Sequence, residues 1–330
     1  MKSINLAIIG FGRIGKIHAN NILAAENANL KIIIDPLIEE SAYSNQLDIK
    51  NAKEMSSLLE LDNIDGVIIC SPSEYHIEHI RLVSQKIKHI FCEKPLGLTI
   101  DEIMQVKSLI KNNNLNLHVG FNRRFDPDFS KLKYAISEGE IGDLHTIKIT
   151  SRDPSPPPIS YIKISGGMFL DMTIHDFDMV KYLADSEISE IFAKGTCFIN
   201  PEIKKANDID TAIINMKLEN GVLATINNSR QAVYGYDQRI EVLGSKGSLR
   251  VNNKLLHGIE RGTKDGFVSA NPQNFFIDRY KRSYEEEILN FINSIRGESV
   301  DCANVDDGLH ALKSGLAAKQ SLEQNSSITI

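Results

Sequence analysis

A glycine-rich turn between an apolar run and an amphipathic run occupies the start of the chain. The run Ile4–Ile9 is rich in isoleucine, which is typical of a parallel strand buried on both faces. It leads into Gly10-Phe11-Gly12-Arg13-Ile14-Gly15, after which apolar residues recur with helical spacing. A Gly-x-Gly-x-x-Gly motif between a strand and a helix predicts a Rossmann domain, because glycines let a dinucleotide pyrophosphate approach the backbone at the helix N-terminus.

The end of the second apolar run indicates which dinucleotide is bound. Leu30–Ile34 is followed by Asp35, twenty residues after Gly15. A carboxylate at this spacing binds the ribose 2′-hydroxyl of NAD and repels the extra phosphate of NADP, and no arginine follows Asp35 immediately. A turn aspartate before Pro36 is the alternative, which the spacing disfavours. We therefore predict that NAD is the cofactor and that it is bound by Gly10, Phe11, Gly12, Arg13, Ile14, Gly15 and Asp35.

Three later apolar runs are predicted to extend the parallel sheet. They are Val67–Cys70, His89–Cys92 and Leu115–Val119. Ligands of open α/β sheets bind outside the carboxyl ends of the strands, so the loops after these runs should line the cofactor crevice. In one of them Pro95 restricts Lys94 to an extended backbone and makes a cis peptide possible. The residues that these loops contribute to the cofactor are predicted to be Ser71, Pro72, His76, Glu93 and Lys94.

His76 and His79 have the spacing of one helical face, in a helix that begins near Glu74. Two histidines without a third ligand rarely hold a metal, so we predict a structural or cofactor-side role for His76 and no metal site. The four cysteines are far apart and include no Cys-x-x-Cys pair. This spacing predicts reduced thiols in a cytoplasmic protein.

Length and composition favour two domains. A chain of 330 residues, 42% hydrophobic and 24% charged, is too long for one small core. We predict an α/β fold with a doubly wound Rossmann domain over residues 1–121. An α+β domain with a large open, mostly antiparallel sheet follows over residues 122–330, and its C-terminal helices are free to pack back on the first domain. The net charge of -6 argues against nucleic acid as a partner, and no apolar run reaches the ~20 residues of a membrane span.

Alternating segments after residue 121 predict the strands of the second sheet, with a hairpin turn at Gly244–Gly247 and a stiff, irregular loop at Asp153–Pro158. Helices are expected near the end of the chain, before a short final strand. In chain order these segments are Leu144–Thr150, Ile191–Phe198, Ala212–Leu218, Val222–Ser229 and Arg239–Leu243, then helices Tyr284–Ile295 and Val305–Leu322 and strand Ser327–Ile330.

The stretch Gly166–Asp178 carries an aspartate and a histidine four residues apart. On one helix Asp171 and His175 would share a face, and the carboxylate would raise the pKa of the imidazole and orient it as a general base. The alternative is a surface pair that stabilises the helix by a few tenths of a kcal/mol. The presence of Lys94 and of the nucleotide motif in the same chain favours catalysis by Lys94, Asp171 and His175.

The motifs together resemble the Gfo/Idh/MocA oxidoreductases, and within this family the bacterial inositol 2-dehydrogenases. The matching segments are Gly10–Gly15, Glu93–Pro95, Gly120–Asp126, Ser151–Pro154, Gly166–Asp178 and Tyr234–Arg239. The resemblance implies a second domain whose open sheet pairs subunits into a dimer or tetramer. It assigns Lys94 to the substrate hydroxyls, His175 to proton transfer and Asp171 to orienting the substrate or His175. It also implies that Arg123, Asp153 and Tyr236 bind the substrate.

The function implied by the resemblance is NAD-dependent oxidation of a secondary hydroxyl of a cyclic polyol, with myo-inositol converted to 2-keto-myo-inositol (scyllo-inosose). Lys94 and His175 would handle the hydroxyl proton. Three alternatives stay open at this point. One is a dehydrogenase of another inositol isomer or of an aldose such as glucose. The others are a nucleotide-sugar oxidoreductase and a non-catalytic, NAD-binding sugar sensor.

Overall fold

The computed structural model describes residues 3–38 and 49–330, which form two compact units. The first comprises Met1–Asn122, as far as these residues are described, together with Ser283–Leu312. The second comprises Arg123–Arg282 and Lys313–Ile330. Within the two described ranges, no helix has both the length and the apolar character that a membrane crossing requires.

The first unit contains a parallel sheet of six strands in the order β3-β2-β1-β4-β5-β6. This is the strand order of a dinucleotide-binding doubly wound sheet, so the predicted fold of the N-terminal part is confirmed. Its central strands are almost completely buried because helices cover both faces of such a sheet. The strands are β1 Ile4–Ile9, β2 Ala28–Ile34, β3 Lys50–Ala52, β4 Gly66–Ile69, β5 His89–Glu93 and β6 Asn116–Gly120.

Helices pack on this sheet through an apolar core. Ile8, Ile33 and Phe91 of the strands are buried together with Phe291 from the C-terminal part of the chain. The helices between the strands are α1 Arg13–Ala24, α2 Ser56–Leu59, α3 His76–Val83 and α4 Ile100–Asn113, and the C-terminal helices are α11 Lys281–Ile295 and α12 Val305–Gln324. Helix α11 begins three residues before the predicted start at Tyr284, and helix α12 ends two residues after the predicted end at Leu322.

The second unit is built on a mixed sheet of seven strands in the order β12-β11-β7-β10-β9-β8-β15. Only the β7–β10 pair is parallel among the described strands of this sheet, which confirms a mostly antiparallel sheet. The strands are β7 Leu144–Arg152, β8 Ile188–Thr196, β9 Thr211–Leu218, β10 Leu223–Ser229, β11 Asp237–Gly244, β12 Gly247–Val251 and β15 Ile328–Thr329. A separate exposed hairpin, which the sequence patterns did not indicate, consists of β13 Glu260–Thr263 and β14 Gly266–Ser269.

One face of the seven-stranded sheet packs against helices. Burial alternates strictly along β9 and β10, so every second residue enters the core. The helices of this unit are α5 Pro127–Ser137, α6 Ile159–Ile162, α7 Met168–Asp171, α8 Ile174–Ala184, α9 Pro201–Lys205 and α10 Phe276–Arg279. The predicted hairpin turn joins β11 to β12, and the proline-rich loop after Asp153 has no regular structure, as expected.

The prediction of one helix through Gly166–Asp178 is wrong. Asp171 is the last residue of α7 and His175 is the second residue of α8, with a turn at Met172 and Thr173 between them. This turn is wider than a turn of α-helix, because the Thr173 N–H donates to the Met168 carbonyl five residues back. The Thr173 hydroxyl also donates to Asn228 Oδ1 at 2.6 Å, which anchors the turn to β10.

Candidate active site

The glycine-rich turn of the first unit is shaped by close backbone contacts. Gly10 has φ +90°, and a Cβ added there would lie 2.5 Å from the Ser71 nitrogen. A Cβ at Gly15 would lie 2.1 Å from the Gly10 carbonyl oxygen. At Gly12, in contrast, no atom of the described residues lies within 4 Å of the position that a Cβ would take, so packing among these residues does not require a glycine here. The open space at Gly12 is where a pyrophosphate would approach the backbone.

Asp35 connects the end of β2 to this turn. Its Oδ2 accepts from the Phe11 N–H at 2.7 Å and its Oδ1 accepts from the Leu37 N–H at 2.8 Å. Helix α1 begins after Gly12 without an acidic residue in its first turn or a side-chain cap. The N–H groups of its first turn point out of the helix end, and together with the positive dipole end they suit an anion. Together with the open space at Gly12, these features fit NAD.

His76 joins two of the predicted cofactor loops. Its Nδ1 lies 2.8 Å from the Pro95 carbonyl oxygen and its Nε2 lies 2.9 Å from the Ser71 carbonyl oxygen. Burial lowers the pKa of His76, although both carbonyl oxygens favour the protonated ring. Because both nitrogens face protein oxygens, the hydrogen bonds of His76 organise the loops, and a direct contact between His76 and NAD stays a prediction. His79 contacts the Ser71 hydroxyl at 2.9 Å through Nδ1.

Lys94 and Pro95 follow β5, and the peptide bond between them is cis, as the sequence allowed. The preceding residue, Glu93, accepts a hydrogen bond from buried His18 at 2.7 Å. Glu287 of α11 lies beside them, and ligand atoms of these three residues lie within 4.8 Å of one another. This buried group could hold a divalent cation or a proton shared by the two carboxylates. The absence of a metal site stays a prediction.

Arg123 lies at the centre of a buried polar network in the second unit. Its guanidinium donates to Asp176 Oδ1 at 2.5 Å and to the Ser151 hydroxyl at 3.2 Å. Asn228 donates to the other oxygen of Asp176 at 2.8 Å. Burial lowers the pKa of Arg123, but the surrounding Tyr280 and Asp176 outweigh it and hold the pKa above its ordinary value. Arg123 is therefore a fixed cation, held by its ion pair with Asp176 and its hydrogen bond to Ser151.

Asp153 and Tyr236 belong to the same cluster. Burial raises the pKa of Asp153 to about 6, and the charges of Asp171 and Asp176 act in the same direction, whereas Arg230 and Arg123 oppose it. Burial also raises the pKa of Tyr236, whose ring packs edge-on against Tyr280 at 6.1 Å between centroids. The second unit thus brings Arg123, Asp153, Asp171 and Tyr236 within electrostatic range of one another.

Asp171 is held by two side chains. Its Oδ1 accepts from the Tyr161 hydroxyl at 2.9 Å, and its Oδ2 lies 3.9 Å from Nη1 of Arg230. His175 is half-buried at the start of α8. Because a turn separates α7 from α8, the two residues do not share the face of one helix. An interaction between Asp171 and His175 stays a prediction.

Several members of this network were not found from the sequence. Asp176, Ser151, Tyr161 and Arg230 contact predicted site residues, and Asn228 contacts Asp176. Asp176 and Ser151 lie inside the motifs that carry the family resemblance, so those motifs contained a signal. Asn228 lies near the end of β10 and Arg230 directly follows this strand, and nothing local distinguishes them from surface residues.

Two family models match the chain, one in each part. "Oxidoreductase family, NAD-binding Rossmann fold" matches residues 4–121, and "GFO/IDH/MocA C-terminal domain" matches residues 129–250. The uncharacterized oxidoreductase YrbE of Bacillus subtilis is 45% identical over 97% of this chain and 95% of its own length. The myo-inositol 2-dehydrogenase of Thermotoga maritima is 42% identical over 99% of this chain and 98% of its own length.

A solved structure extends the comparison to a bound cofactor. The scyllo-inositol dehydrogenase of Lactobacillus casei, with NAD(H) and scyllo-inositol bound, superposes with a TM-score of 0.92 at 31% identity over 99% of each chain. The two family models and the full-length relatives span both units. The chain therefore belongs to the Gfo/Idh/MocA oxidoreductases, and its N-terminal domain is an NAD-binding Rossmann fold.

Proposed function

We propose that this enzyme uses NAD to oxidise a secondary hydroxyl of a cyclic polyol, and that the substrate is myo-inositol and the product 2-keto-myo-inositol. The relatives support the substrate class, since one is a myo-inositol 2-dehydrogenase and another binds scyllo-inositol.

The observation that carries the proposal is the charge balance around Asp153. Three carboxylates, those of Asp153, Asp171 and Asp176, act on one another there. Of the two guanidinium groups nearby, that of Arg123 is bound to Asp176 and that of Arg230 faces Asp208 and Asp171. A surplus of acceptors and negative charge favours a neutral ligand that donates many hydroxyl protons. It disfavours a nucleotide sugar, which would bring a diphosphate.

Oxidation of an alcohol requires a proton acceptor at the oxygen and a hydride acceptor at the carbon. Bound NAD supplies the hydride acceptor. In this proposal His175 accepts the hydroxyl proton, and the ammonium of Lys94 stabilises the negative charge that develops on the oxygen. Asp171 orients the substrate or His175, while Arg123, Asp153 and Tyr236 bind the remaining hydroxyls.

The test is NADH formation by the purified protein with NAD⁺ and a panel of myo-, scyllo- and chiro-inositol, glucose and xylose. Lys94→Ala should lower kcat/KM on the order of 10²–10³-fold, the usual cost of losing a group that stabilises an oxyanion. Its dissociation constant for NAD should change far less. Lys88→Ala is the matched control, because Lys88 is exposed and lies just before β5, whereas Lys94 lies just after it.

The outcomes separate the alternatives. Turnover of myo-inositol that is lost in Lys94→Ala supports both the substrate and the role of Lys94. Faster turnover of another panel member reassigns the substrate. Binding of NAD and of a polyol without any NADH would favour the non-catalytic sensor, and near-full activity of Lys94→Ala would refute the role of Lys94. The cytoplasmic location and the homo-oligomeric state, a dimer or tetramer, stay predictions.

A further inference from the structure

Arg230 is a buried cation that the reaction scheme above does not use. It follows β10 directly, and only 1% of its surface is exposed. Its Nη2 donates to Asp208 Oδ2 at 3.1 Å, and its Nη1 lies 3.9 Å from Asp171 Oδ2. Its Nε is buried and has no hydrogen-bond partner among the described residues. A buried guanidinium is costly unless it is paired, so its place among carboxylates requires a reason.

The partners of Arg230 hold both ends of α7. Asp208 Oδ1 accepts from the N–H of Met168, the first residue of this helix, at 3.0 Å. Asp171, the last residue of α7, faces Arg230 itself. The contact at the first end is close: Gly167 has φ +80°, and a Cβ added there would lie 2.8 Å from Asp208 Oδ1. Arg230 and Asp208 therefore clamp a helix of only four residues, which cannot be stable by itself.

Arg230 also acts on a second site residue. Its positive charge is the largest influence that lowers the pKa of Asp153, against burial and the charges of Asp171 and Asp176. One cation thus lowers the pKa of Asp153 and also faces the carboxylates of Asp171 and Asp208. The other charged and titratable groups near Asp153 are Arg123 and Tyr236. Tyr161 lies beside Asp171, and Asp208 lies beside Arg230.

We propose that Arg230 is a positioning residue: through Asp208 and its contact with Asp171 it fixes α7 so that the Asp171 carboxylate is held in place for the substrate. The assignment of Asp171 to the site rests on the proposed function. Arg230 itself is too buried to reach a substrate, and it acts only through the carboxylates that it faces.

The test compares Arg230→Gln and Arg230→Lys with Arg250→Gln, whose arginine forms an exposed ion pair with Glu241 across the β11–β12 hairpin. Arg230→Gln should lower kcat/KM for the polyol by about 10²-fold, the usual cost of a misplaced catalytic group. The dissociation constant for NAD should stay within the range of the control. The acidic limb of the pH–activity profile should move to higher pH in Arg230→Gln, because Asp153 loses the cation that lowers its pKa. Arg230→Lys should recover part of the lost kcat/KM because it restores the charge.

Equal kcat/KM and equal pH profiles for folded Arg230→Gln and Arg250→Gln would overturn the proposal. If Arg230→Gln does not fold, Asp208→Asn takes its place, since an asparagine oxygen can still accept from Met168 while the anionic partner of Arg230 is lost. This variant should also lose kcat/KM and shift the acidic limb, and wild-type values would refute the clamp.

A wild-type enzyme that is inactive on every polyol would refute the proposed function without deciding on Arg230. The readout is then the titration of Asp153, followed by carboxyl ¹³C NMR and assigned with Asp153→Asn. Its pKa, about 6 in the wild type, should rise in Arg230→Gln and not in Arg250→Gln. If the pKa of Asp153 stays at the wild-type value in Arg230→Gln, the proposal fails independently of catalysis.

Discussion

Replacement of Asp153 by asparagine is expected to stabilise the second unit at pH 8 and to leave its stability nearly unchanged at low pH. Asparagine has almost the same shape, and the backbone bonds of residue 153 to Ser229 and Ala232, at 2.9 and 2.6 Å, do not depend on the side chain. The change therefore removes the ionisable group and little else.

The magnitude follows from the pKa of Asp153, which burial raises from 3.8 to about 6. A rise of about two pH units corresponds to about 3 kcal/mol of free energy against the ionised form in the folded state. Below pH 3.8 the carboxyl is protonated in both states, and the folded state bears no such cost. The cost grows as the pH rises from 3.8 to about 6 and is constant above it.

Urea unfolding of wild type and Asp153→Asn across this pH range measures the difference. The chain has no tryptophan and nine tyrosines, most of them in the second unit, so tyrosine fluorescence mainly reports on that unit. Asp143→Asn, on an exposed turn of the same unit, controls for the amide substitution. The stability gained by Asp153→Asn should grow by about 3 kcal/mol from the lowest to the highest pH. An equal gain at every pH would show that the pKa of Asp153 is not raised in the folded state and would refute the reasoning.

Two further predictions concern other carboxylates. Asp35→Ser removes both hydrogen bonds to the backbone at Phe11 and Leu37 and the charge that repels a 2′-phosphate. The ratio of kcat/KM for NAD to that for NADP should therefore fall. Steady-state kinetics with both cofactors measures this ratio, and an unchanged value would contradict the role of Asp35. Asp126 caps α5 and is ion-paired with buried Arg279. Asp126→Asn should cost about 3–5 kcal/mol of unfolding free energy because Arg279 loses its anion, and Asp126→Ala about 1 kcal/mol more because the cap is lost too. Urea unfolding compares them, and equal losses would rule out the capping contribution.

Local signals were sufficient for the nucleotide-binding turn of the first unit. Isoleucine-rich strands, the glycine turn and Asp35 all lie within the first 35 residues, and their spacing along the chain is sufficient to predict which of them meet. The structure bears this out, since Asp35 bonds to the Phe11 N–H and Gly15 packs on Gly10.

The interior of the second unit was far less accessible to sequence reasoning. Arg123, Asp153 and Tyr236 were named only through the family resemblance, and Arg230 was missed. Arg123 and Asp176 are 53 residues apart in the sequence, and local spacing patterns cannot predict a contact over such a distance. The helix predicted to carry both Asp171 and His175 failed for the same reason, because its turn is anchored by a side chain from a distant strand.

The sequence by itself determined the fold class, the family and NAD as the cofactor. Hydrophobic periodicity and glycine turns depend on residues that are close in the sequence, so they can be recognised from the sequence alone. Only the tertiary structure decided which charges of the second unit share one site, where α7 ends and what holds Asp171. Those features depend on burial and on carboxylate–guanidinium distances, which arise only when β10, α7 and α8 have packed together.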